Sequence, residues 1–169
     1  MKRIICSGNY SYIYHGLNLS QLSIVLNENC LKSRHHFAVC FSRSLDFAKS
    51  FLRKNHYTSL SSVRCVIVID KEELSNNYKI VPVSDNANML EITDKHSDST
   101  EYLKLAKNTM KARYSGHQFN KAEERCYVPV TNISKYIIKI LIDHAILELE
   151  GSEEVIESIR HDGFQVELF

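Results

Sequence analysis

The sequence has no run of about 20 apolar residues, which is the length that a membrane-spanning helix needs. Residues 1–6 carry positive charge, but the chain turns polar at Ser7 before a long apolar segment forms, so a secretory signal peptide is not predicted. The net charge of +1 gives no global argument for binding nucleic acid or a membrane. We therefore expect a cytoplasmic protein without membrane association.

Metal and nucleotide motifs are missing as well. The cysteines are odd in number and none forms a CxxC pair, which argues against a zinc site and a disulfide framework; they are Cys6, Cys30, Cys40, Cys65 and Cys126. The eight histidines show no HxxxH spacing, so we expect free thiols and no metal. The motifs GxGxxG, GxxxxGK[ST], HExxH and GxSxG do not occur either.

The apolar pattern predicts one α+β domain over residues 1–169. About six or seven segments resemble strands, the strongest at 63–70 and 136–142, where β-branched residues predominate. Three or four short segments resemble helices, with Ser20 and Ser44 as N-caps of the first two. Because strands do not alternate with long helices, we expect mainly antiparallel sheets with short flanking helices.

Residues 84–121 differ from the rest because they contain few aliphatic side chains and many polar ones. Connections this long in a compact domain are usually functional lids or disordered. We therefore predict a mobile insertion or lid over 84–121, with a plain surface insertion as the alternative.

Three segments carry groups suited to chemistry. His15-Gly16 follows an aromatic, apolar run and is predicted to end a strand. Ser42-Arg43-Ser44 lies between a strand and a helix start, where free amides and the helix dipole favour an anion such as phosphate. Glu123-Glu124 begins a strand, so one carboxylate is expected to face solvent and the other a cleft.

Together these segments resemble the ADP-ribosyltransferase fold, in its diphtheria-toxin and poly(ADP-ribose) polymerase branch with a His-Tyr-Glu triad. Tyr14-His15-Gly16 leads into residues 22–31, similar to the family's first motif. Residues 40–51 are similar to its second motif, a strand that runs into a Ser- and Ala-rich helix. Residues 123–128, followed by 135–140, are similar to the third, a strand that begins with Glu. The family implies split antiparallel sheets.

The resemblance implies that NAD is a substrate. His15 would hydrogen-bond the adenine-proximal ribose, and the Gly16 backbone would hold the nicotinamide carboxamide. Phe51 stands at the family's stacking Tyr, with Phe47 one turn before it. Arg43 has no fixed role in the polymerases of this family, and we expect it, beside Ser42, to help hold the pyrophosphate or the target. Glu124, or else Glu123, would stabilise the oxocarbenium-like ribose that forms as nicotinamide leaves; Glu124 is preferred because the alternative turns Arg125 toward the cleft.

The implied activity is transfer of one ADP-ribose unit to a macromolecule, with a protein acceptor preferred over nucleic acid. The small size is typical of a phage or bacterial effector or toxin. Three positions depart from the family pattern. Leu17 follows His-Gly, Cys30 replaces a usual Gly, and Phe replaces the stacking Tyr. They leave open a catalytically inactive binding protein. An RNA-directed member is the other alternative, with a basic cleft built from Lys32, Arg34, His35, His36 and Arg43. The oligomeric state is not predicted.

Overall fold

The computed structural model describes residues 11–32, 38–42, 45–50, 56–82 and 123–169. The chain forms nine strands in these ranges: β1 Tyr12–Asn18, β2 Cys30–Leu31, β3 Val39–Ser42, β4 Arg64–Asp70, β5 Val81–Pro82, β6 Glu123–Cys126, β7 Val130–Thr131, β8 Ile137–Ile142 and β9 Val166–Leu168. Its α-helices there are α1 Leu19–Glu28, α2 Leu45–Ser50, α3 Lys71–Ser75 and α4 Ser152–His161, and its short 3₁₀ turns are Leu60–Ser62, Ile133–Tyr136 and His144–Glu148. The predicted lid at 84–121 lies outside the described residues.

Seven strands form one sheet in the order β5-β6-β3-β1-β4-β8-β9, and β2 pairs with β7 in a small second sheet. All neighbouring strands are antiparallel except β8 and β9, which run parallel. The predicted α+β class with mainly antiparallel sheets and short helices is confirmed. β5 lies at the sheet edge. Pro82 is tolerated there because it has no backbone N–H to donate to a central ladder.

Both faces of the large sheet are covered. The side chains of one face belong to the main hydrophobic core, among them Ile13, Leu17, Phe41, Ile67 and Ile140. The other face forms a smaller cluster beneath α2, made of Tyr14, Ala48, Val66, Val68 and Leu141. Alternate side chains of β4 belong to different clusters, so this strand is buried on both sides. Its unbroken run of β-branched residues is typical of such a central strand.

Two predicted boundaries just before the first helix are wrong. β1 does not end at His15-Gly16 but continues to Asn18, because it pairs with β4 as far as Arg64. The N-cap of α1 is therefore Asn18 rather than Ser20. The Asn18 side chain accepts a hydrogen bond from the Gln21 amide at 2.9 Å, and the Gln21 side chain accepts one from the Asn18 amide at 3.0 Å.

The α-helices of the described ranges are five to ten residues long. None of those helices combines the length and the apolar character needed to cross a membrane.

Candidate active site

A cleft of about 210 Å³ opens between β1, β3 and α2. Most of its wall is apolar or backbone, which suits a flat, weakly polar group better than a highly charged one. Its lining comes from two of the three segments singled out in the sequence: Tyr14, His15, Gly16, Cys40, Phe41, Ser42, Phe47 and Ala48.

The pairing of β1 explains the position of the cleft. β1 pairs with β4 along all seven of its residues, whereas its ladder with β3 is formed at Tyr14 opposite Ser42. Beyond that pair the two strands flank the cleft, with Gly16 on one side and Cys40 on the other. Gly16 lies in an extended strand, so its backbone does not require glycine. The missing side chain instead leaves room in the cleft wall.

His15 is held in one orientation. Its Nδ1 is 2.8 Å from the carbonyl oxygen of Cys40, and its ring meets that of Phe41 edge-on at 6.0 Å between centroids. A carbonyl only accepts, so Nδ1 carries the proton in this bond. In the neutral imidazole Nε2 is then an acceptor, which suits a donor such as a ribose hydroxyl.

The short helix α2 closes the cleft on the other face of the sheet. Ala48 is buried against Tyr14, and this small side chain allows α2 to lie close to β1. Phe47, one residue earlier, is 39% exposed and lines the cleft, so its ring is accessible to a ligand. Ser42 is 7% exposed and brings its hydroxyl to the same cleft.

Not every predicted site residue can be placed. Arg43 and Phe51 lie outside the described residues, as do Arg34, His35 and His36 of the alternative basic cleft. Within the described ranges no three His, Cys, Asp or Glu side chains are grouped as metal ligands.

Strand alternation places the two glutamates of β6 on opposite faces of the sheet. Glu124 lies opposite Phe41 in the β3–β6 ladder and is fully buried on the core face. Its Oε1 is 3.3 Å from the Nζ of Lys71, a side chain that is itself 2% exposed. Glu124 does not line the cleft. Glu123 lies opposite Ser42, which in turn lies opposite Tyr14 of the cluster beneath α2, so the register places position 123 on the α2 face of the sheet, next to the cleft residue Ser42.

Five residues of this region did not emerge from the sequence as site residues. Four of them adjoin or lie within the motifs, and their role in the wall required knowledge of the strand register: Tyr14, Cys40, Phe41 and Ala48. Lys71 is 53 positions from Glu124 in the chain and carries no motif. A lysine directly after a strongly apolar strand was its one signal.

Comparison with known proteins gives structural matches only. No family model and no curated protein sequence matches the chain. Thermus sp. 2.9 DarT in complex with NAD⁺ has 12% identity and a TM-score of 0.54, with 96% of this chain and 98% of that chain covered. The same protein with carba-NAD⁺ has 13% identity and a TM-score of 0.54, over 92% and 94% of the two chains.

A third DarT structure bears on the acceptor. Thermus sp. 2.9 DarT in complex with ADP-ribosylated single-stranded DNA has 12% identity and a TM-score of 0.56, with 94% of each chain covered. The expectation of a protein acceptor in preference to a nucleic acid is contradicted, because the matching protein is seen with modified DNA. The architecture of this chain is the ADP-ribosyltransferase fold of DarT.

Proposed function

We propose that this protein is an NAD-dependent ADP-ribosyltransferase that transfers ADP-ribose to single-stranded DNA and releases nicotinamide. The observation that carries the proposal is the cleft between β1, β3 and α2, lined by His15 and Gly16, in a chain that follows nearly the whole fold of DarT. DarT has been solved with NAD⁺, with carba-NAD⁺ and with ADP-ribosylated single-stranded DNA.

The cleft offers suitable groups for the nicotinamide half of NAD. In this proposal the Gly16 backbone hydrogen-bonds the carboxamide, and the 39% exposed ring of Phe47 packs on the nicotinamide ring. His15 accepts from a ribose hydroxyl through Nε2, since Nδ1 is engaged with Cys40. Ser42 lies within the same wall. Phe51 keeps the ring-stacking role that the sequence resemblance implies, and Arg43, which has no fixed role in that family, helps to hold the pyrophosphate or the target in this proposal.

We assign the catalytic carboxylate to Glu123 rather than Glu124. Glu124 is 0% exposed and lies 3.3 Å from Lys71, so it has no access to a ligand in the cleft. Position 123 lies across the ladder from Ser42. A fixed carboxylate there would stabilise the ribose more in the transition state, where it becomes positively charged, than in ground-state NAD⁺, where the positive charge is on the nicotinamide ring. The glycosidic electron pair leaves with nicotinamide, and a nucleophilic atom of the DNA forms the new bond to the ribose.

The decisive experiment incubates the protein with NAD labelled in the adenylate and with single-stranded oligonucleotides, duplexes of the same sequence, or cell-lysate protein. We expect label on the single strands and free nicotinamide in stoichiometric amount. Glu123→Gln should lower transfer by about two orders of magnitude or more, in line with the loss of a preorganised electrostatic group. Glu153→Gln, an exposed glutamate on α4, is the matched control.

The outcomes separate the parts of the proposal. Wild-type protein that releases no nicotinamide would contradict the enzyme activity. Label on lysate protein but not on DNA would overturn the acceptor. A Glu123→Gln variant with full activity, alongside an inactive but folded Glu124→Gln variant, would reverse the assignment of the carboxylate.

We also propose that the protein acts as a small effector or toxin of phage or bacterial type, because modified single strands would obstruct a replicating chromosome. Induced expression in a bacterial host should arrest growth and DNA synthesis. Expression of Glu123→Gln to the same level should not. Equal growth of both strains, with transfer to DNA demonstrated in vitro, would contradict this role.

A further inference from the structure

Strand β6 carries a second charged residue on the same face of the sheet as the proposed catalytic residue Glu123. Arg125 lies opposite Cys40 in the β3–β6 ladder, as Glu123 lies opposite Ser42, and Cys40 and Ser42 both line the cleft. The alternate positions of β6 face the core, where Glu124 and Cys126 are fully buried. Arg125 is half-buried, so its backbone is held in the sheet while part of the side chain reaches solvent.

An exposed apolar turn continues from the end of β6. Tyr127 is 44% exposed and Val128 is 53% exposed, and Pro129, also exposed, completes the connection to β7. The neighbouring Cys126 and Val130 are both buried, so the turn is anchored at each end. Tyr127 is therefore partly exposed on a backbone that is anchored at both ends of the turn. It follows Arg125 by two residues, or about 7 Å along the chain.

This sequence of groups matches what single-stranded nucleic acid requires. A guanidinium pairs with phosphate oxygens in a fixed, forked geometry. Any base can stack on an exposed aromatic ring, which makes such a contact tolerant of sequence. A carboxylate and a cation on β6, followed by a ring in the turn after this strand, would lead an acceptor strand toward the reacting ribose.

We propose that Arg125 and Tyr127 form an acceptor track for single-stranded nucleic acid, in which Arg125 pairs with a phosphodiester and a base stacks on Tyr127. The track rests on the proposed function in that it supplies the acceptor to the same cleft. It differs in that nucleic acid binding can be measured without catalysis. The NAD pyrophosphate is the competing source of phosphate for Arg125, and the test separates the two.

The test measures binding of a fluorescent single-stranded oligonucleotide by anisotropy, and binding of NAD by calorimetry, for each variant. Tyr127→Ala should raise the Kd for the oligonucleotide about tenfold, and Tyr127→Phe should restore it, because stacking needs the ring and not the hydroxyl. Arg125→Gln should weaken binding and reduce the slope of log Kd against log salt by about 0.7, the contribution of one phosphate on a single strand. Val128→Ala, its exposed neighbour, should bind as wild type does.

Three results of this binding experiment would decide between the track and its alternatives. A Kd for the oligonucleotide that is unchanged in both Tyr127→Ala and Arg125→Gln would overturn the track. A larger effect of Arg125→Gln on NAD than on the oligonucleotide would assign Arg125 to the pyrophosphate instead. Wild-type protein that binds single strands through these residues but turns over no NAD would refute the proposed activity while supporting the track.

Discussion

The Nζ of Lys71 lies 3.3 Å from Oε1 of Glu124, and both side chains are almost completely buried. Lys71 is the first residue of α3, directly after the central strand β4, and its backbone N–H donates to the carbonyl of Ser11. Glu124 is in β6, three strands away from β4 in the sheet order. The ion pair thus links β6, which carries the proposed catalytic residue, to the start of α3 directly after the central strand β4.

Removal of the cation should destabilise the protein strongly. In Lys71→Met, Glu124 would remain buried without the ammonium group it now faces, which costs about 3–5 kcal/mol. Urea denaturation at neutral pH measures the change in the free energy of unfolding. The double variant Lys71→Met/Glu124→Leu should recover most of the loss, since no charge is then left in the core. A single variant as stable as wild type would show that the pair is not a structural requirement.

A second prediction concerns acid stability at Asp143. Burial on its own would raise the pKa of this carboxyl, but hydrogen bonds from the Ala145 N–H and the Tyr57 hydroxyl, together with Arg64, outweigh it and hold the pKa below the usual 3.8. Because the folded-state pKa is lowered, the stabilisation is present above pH 3.8 and is lost as the pH falls through the folded-state value.

Asp143→Asn should therefore lower the free energy of unfolding by about 2–3 kcal/mol at neutral pH, because hydrogen bonds to a charged group are lost. The difference from wild type should shrink as the pH is lowered below 3.8. Denaturant titrations across this pH range provide the measurement, with the exposed Asp162→Asn as the matched control. A difference that stays constant with pH would refute the proposed linkage.

A third prediction tests the room that Gly16 leaves in the cleft. Gly16→Val adds a side chain to the cleft wall, and a β-branched residue is well tolerated in a strand. We expect the Kd for NAD to rise about tenfold or more, equivalent to about 1.4 kcal/mol, with the melting temperature nearly unchanged. Gly16→Ala should give an intermediate Kd. Calorimetric titration with NAD measures the effect, and wild-type affinity in Gly16→Val would mean that NAD binds elsewhere.

A fourth prediction uses the thiol of Cys40 as a probe of the cleft. Cys40 is exposed and lines the cleft, whereas Cys65 and Cys126 are buried and burial raises the pKa of both thiols. Iodoacetamide should therefore alkylate Cys40 much faster than these two, because the thiolate is the reactive form. NAD should slow labelling of Cys40 and leave the partly exposed Cys30, which is outside the cleft, unaffected.

Mass spectrometry of the tryptic peptides gives the rate for each cysteine separately. Equal protection of Cys30 and Cys40 would indicate a global effect of NAD on the protein. No protection at Cys40 would contradict the placement of NAD in this cleft.

Much of the fold could be predicted from local patterns. The β-branched runs of β4 and β8 identified the two strongest strands, and the absence of long helices between strands identified the α+β class. The local errors were the end of β1 and the cap of α1. Pairing with β4 extends β1 to Asn18. The local residue pattern could not show this, because it does not say which strand pairs with β1.

The sequence by itself determined the groups available for chemistry: His15-Gly16 on one strand, Ser42 before a helix and two adjacent glutamates on a third strand. Only the tertiary structure decided how these groups relate in space. Strand alternation places Glu123 and Glu124 on opposite faces of the sheet, but which of them lies on the core face depends on the register with β3. The pairing of Glu124 with Lys71, 53 positions away, is the long-range contact that distinguishes the buried glutamate from its neighbour.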